Sequence, residues 1–191
     1  MREVIFLNFR GGRHFMNTII FIVGETGSGK DTISKLLPYP INVSWTTRPM
    51  RLGDIQGETH WFVSDEKFNK AGEMLAYTEI GPYKYGLPLG SLPDGISIYI
   101  IDPDGIKWFR ENYKKDKIKT ITIGLTLPLS ERLKRCVNMR KDDPKQFDER
   151  VKAETERFDK FKLSCDYDAI FTNWESHKTA YLIQKLIEEK L

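Results

Sequence analysis

Thr18-Ile-Ile-Phe-Ile-Val23-Gly24-Glu25-Thr26-Gly27-Ser28-Gly29-Lys30-Asp31-Thr32 decides how this chain is read. Its first six residues form an apolar, mostly β-branched run of strand length, and its end opens a stretch of helical periodicity. The glycines between let the backbone curl, so that successive N–H groups aim inward at an anion beside the positive end of a helix. Lys30 adds a charge that reaches the outer phosphates of a nucleotide. The segment therefore reads as a P-loop, and Gly24, Glu25, Thr26, Gly27, Ser28, Gly29, Lys30, Asp31 and Thr32 are the expected ATP cradle. The usual pattern has Ser or Thr directly after the lysine, to place a hydroxyl on Mg²⁺. Here Asp31 stands there and Thr32 follows. Either residue is a candidate for the metal, and Asp31 is alternatively a carboxylate that only favours a helix start.

Outward from the loop, strand-length apolar runs alternate with amphipathic segments of helix length. Strands are expected at Ile19–Val23, Asn42–Trp45, Ile96–Ile101, Thr120–Leu127 and Asp168–Thr172, with helices near 30–37, 103–114, 129–138, 146–162 and 175–190. That alternation predicts an α/β fold, a parallel sheet covered by helices on both faces. Two stretches break the rhythm. Residues 47–90 carry short alternating strands, His60–Ser64 and Met74–Ile80, and read as a small β-rich insert. Residues 138–146 are polar and charged, as a mobile lid would be. Both are expected near the C-terminal ends of the sheet strands, where open α/β sheets bind ligands. Met16 stands just before the first strand. Residues 1–15 thus read either as an extension outside a domain spanning 16–191 or as the product of an upstream start codon.

At 191 residues, the chain suits one domain. Lys plus Arg number 30 against 27 acidic residues, and a net charge of +3 is too small for a nucleic-acid footprint. No apolar run approaches the roughly 18–20 residues that cross a bilayer, and the start lacks a small-residue cleavage site. Cys136 and Cys165 show neither CxxC spacing nor a disulfide framework, so a reducing cytoplasm is the expected setting. His14, His60 and His177 lack metal-ligand spacing. Trp45, Trp61, Trp108 and Trp174 read as packing residues rather than stacking platforms for nucleic acid.

Downstream of the P-loop the sequence resembles guanylate kinases along most of residues 18–190. The resemblance is carried by Ser44-Trp-Thr-Thr-Arg48-Pro-Met-Arg51-Leu-Gly-Asp-Ile-Gln-Gly57, Tyr83-Lys-Tyr85-Gly86, Ile101-Asp102-Pro-Asp-Gly105 and Phe171-Thr-Asn173. It implies that Arg48, Arg51 and Tyr85 clamp the acceptor's phosphate, with Ser44 and Asp102 nearby and Asn173 beside the adenine of ATP. Two guanidinium forks with a phenol suit that task, because they grip phosphate oxygens bidentately. The pattern also departs from the family. His60 replaces a phosphate-binding tyrosine, Ala76 replaces the guanine-reading glutamate, and Leu87 replaces a serine that also contacts the base. Guanine preference is therefore not carried over. Ribose 1,5-bisphosphate phosphokinases share the Gly-Ser-Gly-Lys-Asp loop and the histidine, but lack an arginine matching Arg51.

The expected function is ATP- and Mg²⁺-dependent phosphoryl transfer to a small phosphorylated acceptor, a nucleoside or deoxynucleoside 5′-monophosphate. A ribose-bisphosphate kinase is the second reading, and a non-catalytic guanylate-kinase-like binding module the third. Phosphoryl transfer needs positive charge around the migrating group. Lys30 supplies part of it, and Arg140 and Arg150, which match lid arginines of the family, are expected to supply the rest, with Arg135 a further candidate. A monomer or homodimer is expected, with neither nucleic acid nor membrane as partner.

Overall fold

The computed structural model describes residues 17–51, 53–113, 118–164 and 166–191. The proposed extension over residues 1–15 lies outside them. Five parallel strands form the main sheet in the order β2 (Ile41–Asn42), β7 (Ile96–Ile100), β1 (Asn17–Gly24), β8 (Ile118–Thr126), β9 (Ala169–Thr172). Seven of the eight β1 residues are buried, as expected of a central strand covered on both faces.

The two-residue period of β1 divides the core. Ile19, Phe21 and Val23 pack with Ile106 and Phe109 of α3 (Pro103–Asn112) and with Phe158 and Phe161 of α5 (Pro144–Ser164). Ile20 and Ile22 point the other way, onto Ile33 of α1 (Lys30–Leu36) and Ala180, Ile183 and Ile187 of α6 (Ser176–Lys190). Each such fully buried isoleucine contributes about 1.5–3 kcal/mol of burial energy. The parallel sheet with helices on both faces is thus the architecture the alternation predicts. Its central strand ends at Gly24, so the P-loop begins where the sheet stops.

A second sheet has the order β4 (Trp61–Phe62), β3 (Trp45–Thr46), β6 (Tyr83–Pro88), β5 (Met74–Ile80), and α2 (Asp65–Asn69) follows β4. It shares the α3–α5 core through Leu75, Ala76 and Leu87. Several boundaries differ from the expectations. Asn42–Trp45 is not one strand, because Ile41–Asn42 pairs with β7 while Trp45–Thr46 pairs with β4 and β6. The strand expected over His60–Ser64 shortens to Trp61–Phe62, and β6 was not foreseen as a strand. The helix expected over 129–138 is α-helical only at α4 (Leu129–Leu133) and continues as a π-helix over Lys134–Met139. Trp61 and Trp174 are 44% and 57% exposed, so they are not core packing residues.

Candidate active site

The P-loop is built by backbone conformation. Gly29 has φ 94°, in the left-handed region, and a Cβ there would collide with the Asn173 amide nitrogen, so only glycine fits. Asn173 is fully buried and its Nδ2 donates to the Ser28 carbonyl at 2.8 Å. Its side chain therefore ties the end of β9 to the loop. Arg135 Nη2 donates to the carbonyls of Asn173 (2.7 Å) and Trp174 (3.0 Å), joining the π-helix to the end of β9. One turn earlier, Arg132 of α4 donates to the Thr26 carbonyl at 3.2 Å and pairs with the buried Glu25 carboxylate at 3.1 Å.

Lys30 Nζ donates to the Gly24 carbonyl at 2.6 Å and the Glu25 carbonyl at 3.3 Å, so the ammonium curls over the loop. Burial lowers its pKa, opposed first by the Glu154 carboxylate and then by Asp31. Lys30, Asp31 and Thr32 share a cavity of about 480 Å³ with Gly27, Gly29, Arg135 and Arg140. Arg140 pairs with Asp142 at its rim. The first N-cap of α1 is Gly29, without a side-chain cap, so Asp31 lies in the first turn but does not cap the helix. An exposed carboxylate and a hydroxyl are the oxygen donors a hard cation takes. Among the described residues no group of three His, Cys, Asp or Glu could hold a metal. Asp31 and Thr32 would suit Mg²⁺, a hard cation that takes oxygen donors.

A second cavity, about 380 Å³, brings together Ser44, His60, Ala76, Tyr85 and Asp102, drawn from five separate segments, and Lys30 forms part of its wall. Ser44 Oγ lies 2.8 Å from His60 Nδ1. Burial and then the Arg48 charge lower the His60 pKa, which keeps the imidazole neutral near pH 7. Asp102 caps α3, accepting from the Gly105 N–H at 2.7 Å, and burial raises its pKa. Ala76 leaves its part of the wall apolar. Leu87 does not reach this cavity; it is 1% exposed and belongs to the core. The two clamp arginines also part company. Arg48 is buried, 2.9 Å from Asp54 and 5.2 Å from the Phe62 ring centroid, whereas the exposed Arg51 faces Arg150 across a wider cleft.

Sequence reasoning missed Thr78, Tyr99 and Glu154 in this wall. Thr78 follows Ala76 by two residues on β5, so strand periodicity carries a signal for it. Glu154 has none, since its partner Thr26 is 128 residues away.

A family profile described as guanylate kinase matches residues 16–190. A curated guanylate kinase of Wolbachia pipientis wMel is 30% identical over 185 residues, 90% of this chain and 90% of its own. Another, of Lactiplantibacillus plantarum, is 30% identical over 187 residues, 90% of this chain and 87% of its own. The crystal structure of guanylate kinase from Anaplasma phagocytophilum matches 92% of this chain and 87% of its own with TM-score 0.66. Its identity is 22%, so that likeness speaks to the fold.

Proposed function

The chain belongs to the guanylate kinase family of ATP-dependent nucleoside monophosphate kinases, and we propose that its acceptor is a nucleoside or deoxynucleoside 5′-monophosphate not selected for guanine. Ala76 carries this reading. It stands in the wall of the 380 Å³ cavity at the position where the resemblance places a guanine-reading glutamate. A buried base edge left without its partners loses the full hydrogen-bonding energy, so guanine gains little there.

In this reading Arg48, Arg51 and Tyr85 bind the acceptor's phosphate, and His60 lies beside them as a neutral donor. Lys30, Arg140 and Arg150 surround the migrating group with positive charge, which is nearly all that phosphoryl transfer asks of a protein. Asp31 and Thr32 would hold Mg²⁺, which neutralises phosphate charge when bound. Ser44 and Asp102 orient the acceptor. The proposed lid, residues 138–146, holds the non-helical break between Met139 and Pro144 and takes in the end of the π-helix and the start of α5. A cytoplasmic monomer or homodimer suits these tasks, and no helix among the described residues is long and apolar enough to cross a membrane. Turnover with ATP-Mg²⁺ across the common nucleoside and deoxynucleoside monophosphates tests the proposal.

A further inference from the structure

Glu154, in the middle of α5, reaches the P-loop. Its Oε2 accepts the Thr26 backbone N–H at 2.7 Å, and its Oε1 accepts the Thr26 hydroxyl. A carboxylate accepting two hydrogen bonds from one residue fixes both partners in direction as well as distance, and such charge-assisted bonds are roughly twice as strong as neutral ones. Two turns farther along the same helix, Lys162 lies 3.4 Å from Glu25, the loop residue next to Thr26. Phe158 and Phe161, buried between them, seat the helix on the sheet. Positions 150, 154, 158 and 162 recur every four residues and so share one face. Arg150 continues that face one turn before Glu154, at the cleft it shares with Arg51.

We infer that Glu154 is a positioning residue: it latches α5 to the P-loop at Thr26 and so sets where Arg150 stands between donor and acceptor. The hydrogen bonds hold the middle of the helix at the loop, between the buried Phe147 of its first turn and the buried Phe158 and Phe161 farther along. Glu154 is also the carboxylate that chiefly opposes the effect of burial on Lys30. The inference rests on the proposed role of Arg150.

Steady-state kinetics of Glu154→Ala, Arg150→Ala and the double variant provide the test, a nonadditive cycle being the sign of residues acting as a unit. Each single variant is expected to lower kcat by roughly 10- to 100-fold, the scale of a misplaced catalytic group. The double variant should fall no further than the worse single, and KM for ATP should change little. Glu154→Gln offers one acceptor oxygen instead of two, and its kcat should lie between native and Glu154→Ala. That series also serves where Glu154→Ala lowers the melting temperature. Losses that multiply in the double variant overturn the latch while leaving the Arg150 role intact. A tenfold lower KM for ATP in Glu154→Ala also overturns it, because the carboxylate would then be competing with ATP's phosphates. Full turnover in Arg150→Ala alone overturns the proposed site itself, and the latch with it.

Discussion

Ser44 Oγ and His60 Nδ1 lie 2.8 Å apart, a contact that joins the turn before β3 to the residue before β4. His60 sits edge-on to Phe62 and Tyr85, with ring centroids 5.7 and 5.6 Å away. Burial and the Arg48 charge hold its folded-state pKa below the ordinary value of about 6.5. The neutral ring therefore contributes stability that is present above pH 6.5 and lost as pH falls through the lowered value. The melting temperature of the unliganded protein should fall more steeply between pH 7 and 5 than that of His60→Gln. Parallel curves would contradict this environment for His60.

Replacing Lys30 with Ala should leave the fold intact and lower turnover by roughly 10²-fold or more, the cost of losing one preorganised contact to the transferring group. Among the described residues the ammonium's hydrogen bonds are to the carbonyls of Gly24 and Glu25, both within the loop itself. Circular dichroism with initial rates checks both halves. Near-native turnover in a folded variant would remove Lys30 from the site.

Arg51 and Arg48 should behave differently. The exposed Arg51 makes no ion pair among the described residues, so Arg51→Ala should change stability by less than about 0.5 kcal/mol. It should reduce kcat/KM for the acceptor far more than it weakens ATP binding. Arg48→Ala removes the ion pair of the partly buried Asp54, whose carboxylate keeps the Arg51 N–H, and should also lower the melting temperature. Titration of ATP binding beside acceptor kinetics tells the roles apart; equal losses on both sides would assign Arg51 to ATP.

The P-loop was legible because its signal is local: an apolar strand, three glycines and a lysine within fifteen residues. The parallel sheet with helices on both faces follows from the same alternation, whereas the order of its strands shows only in the fold. The Asn42–Trp45 error has a physical source, since nothing in four residues records that the chain leaves one sheet and joins another. Tyr83–Pro88 is a strand despite its Gly and Pro because Tyr85 and Gly86 pair on both sides, with β3 and β5. Tertiary pairing outweighs local propensity there. Asn173 was found by its motif, yet its work under Ser28 shows only in three dimensions. Leu87 likewise aligns with a base-contacting position while its side chain fills the core.

That placement of Leu87 separates two substitutions that the resemblance treats together. Ala76→Glu puts a carboxylate into the cavity wall and should raise kcat/KM for GMP relative to the other monophosphates. Leu87→Ser removes a fully buried side chain and should cost about 2–5 kcal/mol, as large-to-small core changes do. Denaturant unfolding and acceptor kinetics on the two single variants measure each effect. A stable Leu87→Ser with improved GMP use would place that side chain in the site after all.

Competition among acceptors in the native protein tests the central claim most directly. With ATP-Mg²⁺ in excess, kcat/KM would be measured for GMP, dGMP, AMP, CMP, UMP, dTMP and ribose 1,5-bisphosphate. A wall with Ala76 in place of a carboxylate predicts that a monophosphate other than GMP is used best. Where a hydrogen-bonded reader is present, discrimination reaches about 10⁴-fold. A preference for GMP over every other acceptor by about 10²-fold or more would contradict the account and require another group to read guanine.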